Sequence, residues 1–131
     1  MASLFPDICT EDVAAARDFY TRLLGLKAVF ENDWYVQLQD PEDPSLQLAF
    51  VKRDHPSVPE GHRDSARGVI VTIEVDQVDP VFERAERLGV PIVQTLRDEA
   101  WGQRHFMAQD PTGLLLDVVQ LIPPSGEYAQ G

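Results

Sequence analysis

One cysteine, Cys9, stands in the chain of 131 residues, so no disulfide can close within it. Positive charge is scarce. Eleven Lys and Arg face 22 Asp and Glu, a formal charge of −11. A surface this poor in bases is unsuited to phosphate backbones, which argues against nucleic acid as a partner. Most of those acids serve solubility, and together they are compatible with a cationic ligand. No apolar run reaches the length of a membrane span and no signal peptide is visible. The expectation is a cytoplasmic protein with no membrane partner. What the chain does have is apolar content: 44% of its residues are hydrophobic, enough for a core and too much for disorder. Its length suits one compact domain or two fused small ones.

The organising stretch is E-A-W-G-Q-R-H-F-M-A-Q-D-P-T-G-L-L-L-D-V-V-Q, residues 99–120. It reads as strand, tight turn, strand. Asp110-Pro111-Thr112-Gly113 is turn chemistry, with Pro presetting φ and Gly accepting positive φ. The β-prone run after it is broken by one acid, Asp117, which must face water or a site. A weaker copy lies earlier, around Gln39-Asp40-Pro41, and sliding one Q-D-P onto the other sets Gln47 on Asp117. A chain that repeats its pattern is built of two like units.

Taken in order, residues 4–10 form a short strand. Glu11 and Asp12 open a helix at its positive end, with Val13, Ala16, Tyr20 and Leu23 as the buried stripe and Gly25 as the stop. Three strands follow. Residues 53–68, rich in Pro, Gly and charge, read as a linker or flap, in which His55 and His62 are solvated. The pattern then restarts. A strand at 69–75 precedes a helix at 76–88, with Val78, Val81, Phe82, Ala85 and Leu88 on one face and Gly89 as the stop. An edge-like strand at 91–96 leads into the organising stretch, and the tail from Pro123 is expected to be mobile. The expected fold is α+β: a βαβββ module at 1–52, the linker at 53–68, a second module at 69–122, and a tail at 123–131. One helix cannot cover both faces of four strands. The two modules should therefore form a cupped mixed β-sheet with helices on its outer face, leaving a wall on each module around a pocket.

The segments E-D-V-A-A-A-R-D-F-Y-T-R-L-L-G-L, R-L-G-V and W-G-Q-R-H-F-M-A-Q-D-P-T-G-L-L-L-D-V-V-Q resemble the vicinal oxygen chelate superfamily, which includes glyoxalase I, bleomycin-resistance proteins and extradiol dioxygenases. The resemblance covers nearly the whole chain. It implies the paired modules, a homodimer, and pockets shared between modules or chains. The metal-dependent members place ligands on the first and last strands of each module. By motif those positions are Phe5, Gln47, Ile70 and Asp117. Phe5 and Ile70 cannot ligate, Gln47 is a weak neutral donor, and only Asp117 is an ordinary ligand. The resemblance is therefore to the metal-free, bleomycin-resistance-type members, with no metal and no cofactor expected.

Strand parity gives the pocket wall, because alternate side chains share a face. It assigns Phe5, Asp7 and Cys9 to the wall in the first strand, then Tyr35, Gln37 and Gln47. In the second half it assigns Thr72, Glu74, His105, Met107 and Asp117. Family likeness adds Trp101 at the mouth. Each residue also has a plainer reading. Asp117 would accept from Arg104 or backbone. His105 would be a half-exposed strand residue bonded to a carboxylate. Asp7 and Glu74 would be solvated at the rim, and Trp101 would pack over a strand. Trp34 has core parity, and Cys9 is a small buried hydrophobe without a base beside it. The wall suits a ligand with flat apolar surface and polar or cationic groups. It shows no catalytic constellation. The expected function is binding and sequestration of a small, partly aromatic natural product without chemistry. A metal-dependent lyase, isomerase or dioxygenase ranks second. A metal-free enzyme using His105 or Glu74 as base ranks third.

Overall fold

Asp12 starts the first helix. Its extended backbone (φ −132°) lets the carboxylate accept from the Ala15 N–H at 3.0 Å, which satisfies a donor the helix end would leave unpaired. The helix, α1 (Val13–Leu24), ends where Gly25 takes a left-handed φ of 73° and donates its N–H to Thr21. The computed structural model describes residues 1–129. Before α1 runs β1 (Asp7–Thr10). After it come β2 (Lys27–Glu31), β3 (Tyr35–Gln39) and β4 (Gln47–Lys52). The second series is β5 (Ile70–Glu74), α2 (Val78–Arg87), β6 (Ile92–Glu99), β7 (Gln103–Gln109) and β8 (Leu115–Leu121). A short 3₁₀ helix, Gly126–Tyr128, follows.

The chain folds as two compact units. One holds Met1–Gly68 with Pro111–Gly113, and the other holds the remaining described residues. Each unit is a βαβββ module with a four-stranded mixed sheet, ordered β1-β4-β3-β2 in the first and β5-β8-β7-β6 in the second. The outer pair β1–β4 is parallel, as is β5–β8, and the remaining neighbours are antiparallel.

Each sheet packs its own helix on one face. In the first unit Tyr20 of α1 is fully buried and stacks on Phe50 of β4, with ring centroids 5.4 Å apart. Ile8, Val36, Leu38 and Leu48 complete that face. In the second unit Phe82 of α2 meets Phe106 edge-on at 5.2 Å, over Val78, Ala85, Leu116 and Val118. Such ring pairs add about 1 kcal/mol each beyond the area they bury. Leu88, expected on this stripe, is 45% exposed, because the helix ends at Arg87 and Leu88 is its cap.

Three further expectations are corrected. Strand β1 begins only at Asp7, since Pro6 has no N–H to give the ladder, although its carbonyl accepts from Ala49. Residues 53–68 are a folded loop of the first unit. Val58 is buried, Arg63 donates to its carbonyl at 2.7 Å, and His55 lies flat on Trp34 with centroids 3.7 Å apart. His55 is therefore not simply solvated. The tail is tied down through Ala129. Ile122 donates to the Gly102 carbonyl and Ser125 to that of Ala100, while Tyr128 meets Trp101 edge-on. Gln130 and Gly131 of the expected tail lie outside the described residues.

Phe106→Ala should cost roughly 3–5 kcal/mol in urea unfolding, as the ring fills the helix–sheet core without solvent contact. Gly102→Ala should cost roughly 1–3 kcal/mol. A Cβ there would sit 3.0 Å from the Ile122 carbonyl at a φ of 111°. Hydrogen exchange should show the Ile122 and Ser125 amides released in that variant.

Candidate functional site

With one helix per sheet, the other face of each sheet carries the polar parity. In the first unit the register sets Asp7, Ala49 and Gln37 in one row across β1, β4 and β3. The flanking rows hold Cys9, Val51 and Tyr35 on one side, and Gln47 with Gln39 on the other. Tyr35 Oη donates to Gln37 Oε1 at 3.1 Å. Gln37 Nε2 donates to Gln47 Oε1 in a short contact, and Gln39 Nε2 donates to the same oxygen at 3.2 Å. The aromatic rim is continuous. Phe30 packs edge-on to Tyr35 and Tyr35 tilts against Trp34, both at 5.9 Å. Desolvation pushes the Asp7 carboxyl up from its ordinary value, although the residue keeps solvent contact. Desolvation, and then the nearby Asp7 charge, push the Tyr35 hydroxyl up as well. Cys9 is half-buried, its thiol aimed at the His62 carbonyl. Burial and the charges of Asp7 and Asp64 raise its pKa, so it is no ready nucleophile.

The second unit is different in kind. Thr72, Asp117 and Met107 share a row across β5, β8 and β7, and Glu74, Val119 and His105 share the next. His105 is 3% exposed and lies between two acids. Its Nδ1 is 2.7 Å from Asp117 Oδ1 and its Nε2 is 2.8 Å from Glu99 Oε2. Arg97 Nε donates to that same Glu99 oxygen at 2.8 Å. Both ring nitrogens can donate only in the imidazolium form. Burial pulls the ring's pKa down, but the hydrogen bonds and charges of Glu99 and Asp117 outweigh it, and the net direction is up. The bonds from His105 and then Arg97 hold the Glu99 carboxyl below its ordinary value.

The residues assigned to the wall on strand parity thus lie on the helix-free faces of the two sheets. Tyr35, Gln37 and Gln47 meet in one network, and His105 and Asp117 in another. Asp7, Thr72, Glu74 and Met107 lie on the corresponding faces, with Thr72 and Glu74 exposed. Phe5 precedes β1 and is half-buried. Trp101 is 49% exposed at the β6–β7 turn, its Nε1 donating to Gln103 at 2.8 Å. Two plain readings are replaced. Asp117 is bonded to His105 and not to Arg104, which instead forks onto Asp79 and reaches Asp98. His105 is buried, not half-exposed, and bonds two carboxylates, not one.

Glu99 was missed because the charged run Arg97-Asp98-Glu99 reads as the end of a strand. Continued hairpin parity, Glu99 opposite Gln103 and Arg97 opposite His105, would have found it. Gln39 has the same parity as Tyr35 and Gln37 and was legible by the same rule.

The register also corrects the internal overlay. Asp40 closes its turn on Leu46 but Asp110 closes on Leu114, so the first turn is two residues longer. Ala49, opposite Gln37, is therefore the counterpart of Asp117, opposite Met107. Gln47 is the counterpart of Leu115. The positions implied for metal ligands become Phe5, Ala49, Ile70 and Asp117, with one carboxylate among them. That donor set does not fit a divalent ion. Nor do Glu99, His105 and Asp117 supply one, because the imidazole stands between the two acids and takes their oxygens. Among the described residues no group of three or more His, Cys, Asp and Glu converges to hold a metal. A separate cleft of about 360 Å³ opens in the first unit beside the start of α1. Its rim is largely spent on ion pairs such as Arg17–Glu31, and Val36 on its wall has the opposite parity from the amide face.

His105 should titrate with a midpoint above 6.5 when its ring protons are followed by NMR, and Asp117→Asn should lower that midpoint. Because folding raises this pKa, its stabilisation is fully present below 6.5 and is lost as pH rises through the folded midpoint. Asp117→Ala should cost about 2 kcal/mol at pH 6, by urea unfolding, and less at pH 9.

Comparison with known proteins agrees with this architecture. No helix among the described residues is long and apolar enough to cross a membrane. The uncharacterized protein Mb0911c of Mycobacterium bovis is 28% identical over 124 residues, covering 85% of this chain and 78% of its own. A glyoxalase/bleomycin resistance protein/dioxygenase family enzyme from Burkholderia phytofirmans PsJN superposes with a TM-score of 0.76 at 14% identity, over 90% of this chain and 97% of that one. TioX from Micromonospora sp. ML1 does so with a TM-score of 0.69 at 21% identity, over 93% and 100%. At such identities the two structures speak for the fold. The model of the Glyoxalase/Bleomycin resistance protein/Dioxygenase superfamily matches residues 4–118, and with the two βαβββ modules described above this chain belongs to that superfamily.

Proposed function

We propose that the protein binds a small, partly aromatic natural product and releases it unaltered. One observation carries this reading. Where metal-dependent relatives would place ligands, this chain has Phe5, Ala49 and Ile70, and its one carboxylate, Asp117, is already bonded to His105. The group best suited to acid–base work is likewise committed, with a carboxylate on each ring nitrogen of His105. A general base needs a free nitrogen within reach of the proton it takes.

What the first face offers is aromatic and amide. Phe30 and Tyr35 offer π surface beside Trp34, one face of which His55 covers, and Gln37, Gln39 and Gln47 offer hydrogen bonds. Rigid aromatic side chains supply contact area at little entropic cost, and adaptable amides supply orientation. Asp7 and the overall charge of −11 favour a cationic guest through steering. A homodimer, as the superfamily resemblance implies, belongs to this proposal. Sequestration in the cytoplasm would follow from binding alone.

The test is a fluorescence titration of Trp34 and Trp101 against glycopeptide, quinone-type and polycyclic aromatic antibiotics. Mass spectrometry of the recovered compound accompanies it. The expected outcome is saturable quenching by at least one class and an unchanged ligand mass. Tyr35→Ala should weaken that binding roughly tenfold, about 1.4 kcal/mol. Turnover of the ligand, or activity abolished by EDTA, would overturn the reading.

A further inference from the structure

Gln47 sits at a junction. Its one amide oxygen accepts from Gln37 and from Gln39, and Gln37 in turn accepts from Tyr35. No other hydrogen bond of the half-buried Gln47 side chain is formed among the described residues, so its NH₂ is left without a protein partner there. An amide is nearly symmetric in shape, and its oxygen and nitrogen exchange places when the group turns over. Turn all three amides over together and every contact survives. Gln47 Nε2 then donates one proton to each of Gln37 Oε1 and Gln39 Oε1, and Gln37 Nε2 donates to Tyr35 Oη. The two arrangements satisfy the same pairs at the same heavy-atom positions. They differ at the free end of Gln47, which is a donor in the first and an acceptor in the second.

Resting on the binding function proposed above, we infer that Tyr35, Gln37, Gln39 and Gln47 form a reversible hydrogen-bond relay that presents either a donor or an acceptor to the ligand. The site then takes flat aromatic guests of two chemical classes: those with a carbonyl-type oxygen and those with a protonated amine. The aromatic rim of Phe30, Trp34 and Tyr35 serves both, since stacking is indifferent to the polarity of the guest's substituent. Asp7, in the row beside Gln47 and Gln39, adds attraction for the cationic class. A buried charge in place of Gln47 would commit the face to one class. The neutral amide keeps both.

The experiment uses the whole chain and two rigid tricyclic probes of similar size. Xanthone carries acceptors only, and 9-aminoacridine is a cationic donor. Binding is measured by fluorescence titration for the wild type, Gln47→Glu and Gln47→Met, with thermal melts to establish that each variant is folded. The wild type should bind both probes. Gln47→Glu fixes the inward end as acceptor and puts a second carboxylate oxygen outward. It should weaken xanthone at least tenfold while 9-aminoacridine binds as tightly or more so. Gln47→Met should weaken both.

In the wild type, the Gln47 side-chain NH₂ resonances should move in opposite senses with the two probes. That measurement stands even if a variant does not fold. Equal effects of Gln47→Glu on both probes, or NH₂ shifts of one sign, would overturn the relay while leaving the binding function in place. A wild type that binds only one of the two probes, or neither, would likewise overturn the relay, whereas the binding function stands or falls on the antibiotic titration above.

Discussion

One helix against four strands is the constraint on which each module depends. A sheet of four strands has two faces, and the apolar stripe of α1 or α2 can dry only one of them. The face under the helix is closed by rings and branched side chains, Tyr20 on Phe50 and Phe82 on Phe106. The opposite face inherits every other residue of the same strands. It holds amides, an imidazole and carboxylates, which must find partners across the strands or remain wet. The polar networks are the direct product of the apolar core.

The two modules resolve this in opposite ways, although their strand orders match. The first relies on neutral amides. Gln37, Gln39 and Gln47 satisfy one another with a hydroxyl, and no charge is committed. The second relies on charge. The His105 ring between Glu99 and Asp117 is almost without solvent contact, with Arg97 steadying the outer acid. A duplicated fold that keeps its backbone and exchanges its polar chemistry is free to keep one face for structure and the other for recognition. The burial of His105 and its two short bonds suit the structural part. The half-buried amides beside the exposed Phe30 ring suit the recognition proposed above.

The difference also bears on the superfamily's range. The fold hosts ion-dependent enzymes and binders alike, so membership alone says little about chemistry. In this chain the carboxylate that could begin a metal site is drawn into a hydrogen-bonded group within its own sheet. Its counterpart in the other module is Ala49. The two-residue difference between the turns at Asp40 and Asp110 moves Gln47 off that row. Turn length, through strand register, thereby decides which side chain occupies the position a ligand would need.

Much of this was legible in the sequence. Periodicity marked both helices, because an amphipathic stripe at 3.6-residue spacing has few other uses. Glycines and Q-D-P turns marked where elements end, and strand parity assigned Tyr35, Gln37, Thr72, His105, Met107 and Asp117 to the face away from the helices. What the sequence could not settle was contact across strands. Parity names the face a residue takes, but partnership depends on register, and register depends on turn geometry. Only the folded chain showed Ala49 opposite Gln37 and His55 lying on Trp34. These pairs are distant in sequence or offset by bulges and turns. Local propensity sets the alternation along a strand, whereas the hydrogen-bonded ladder between strands sets who meets whom.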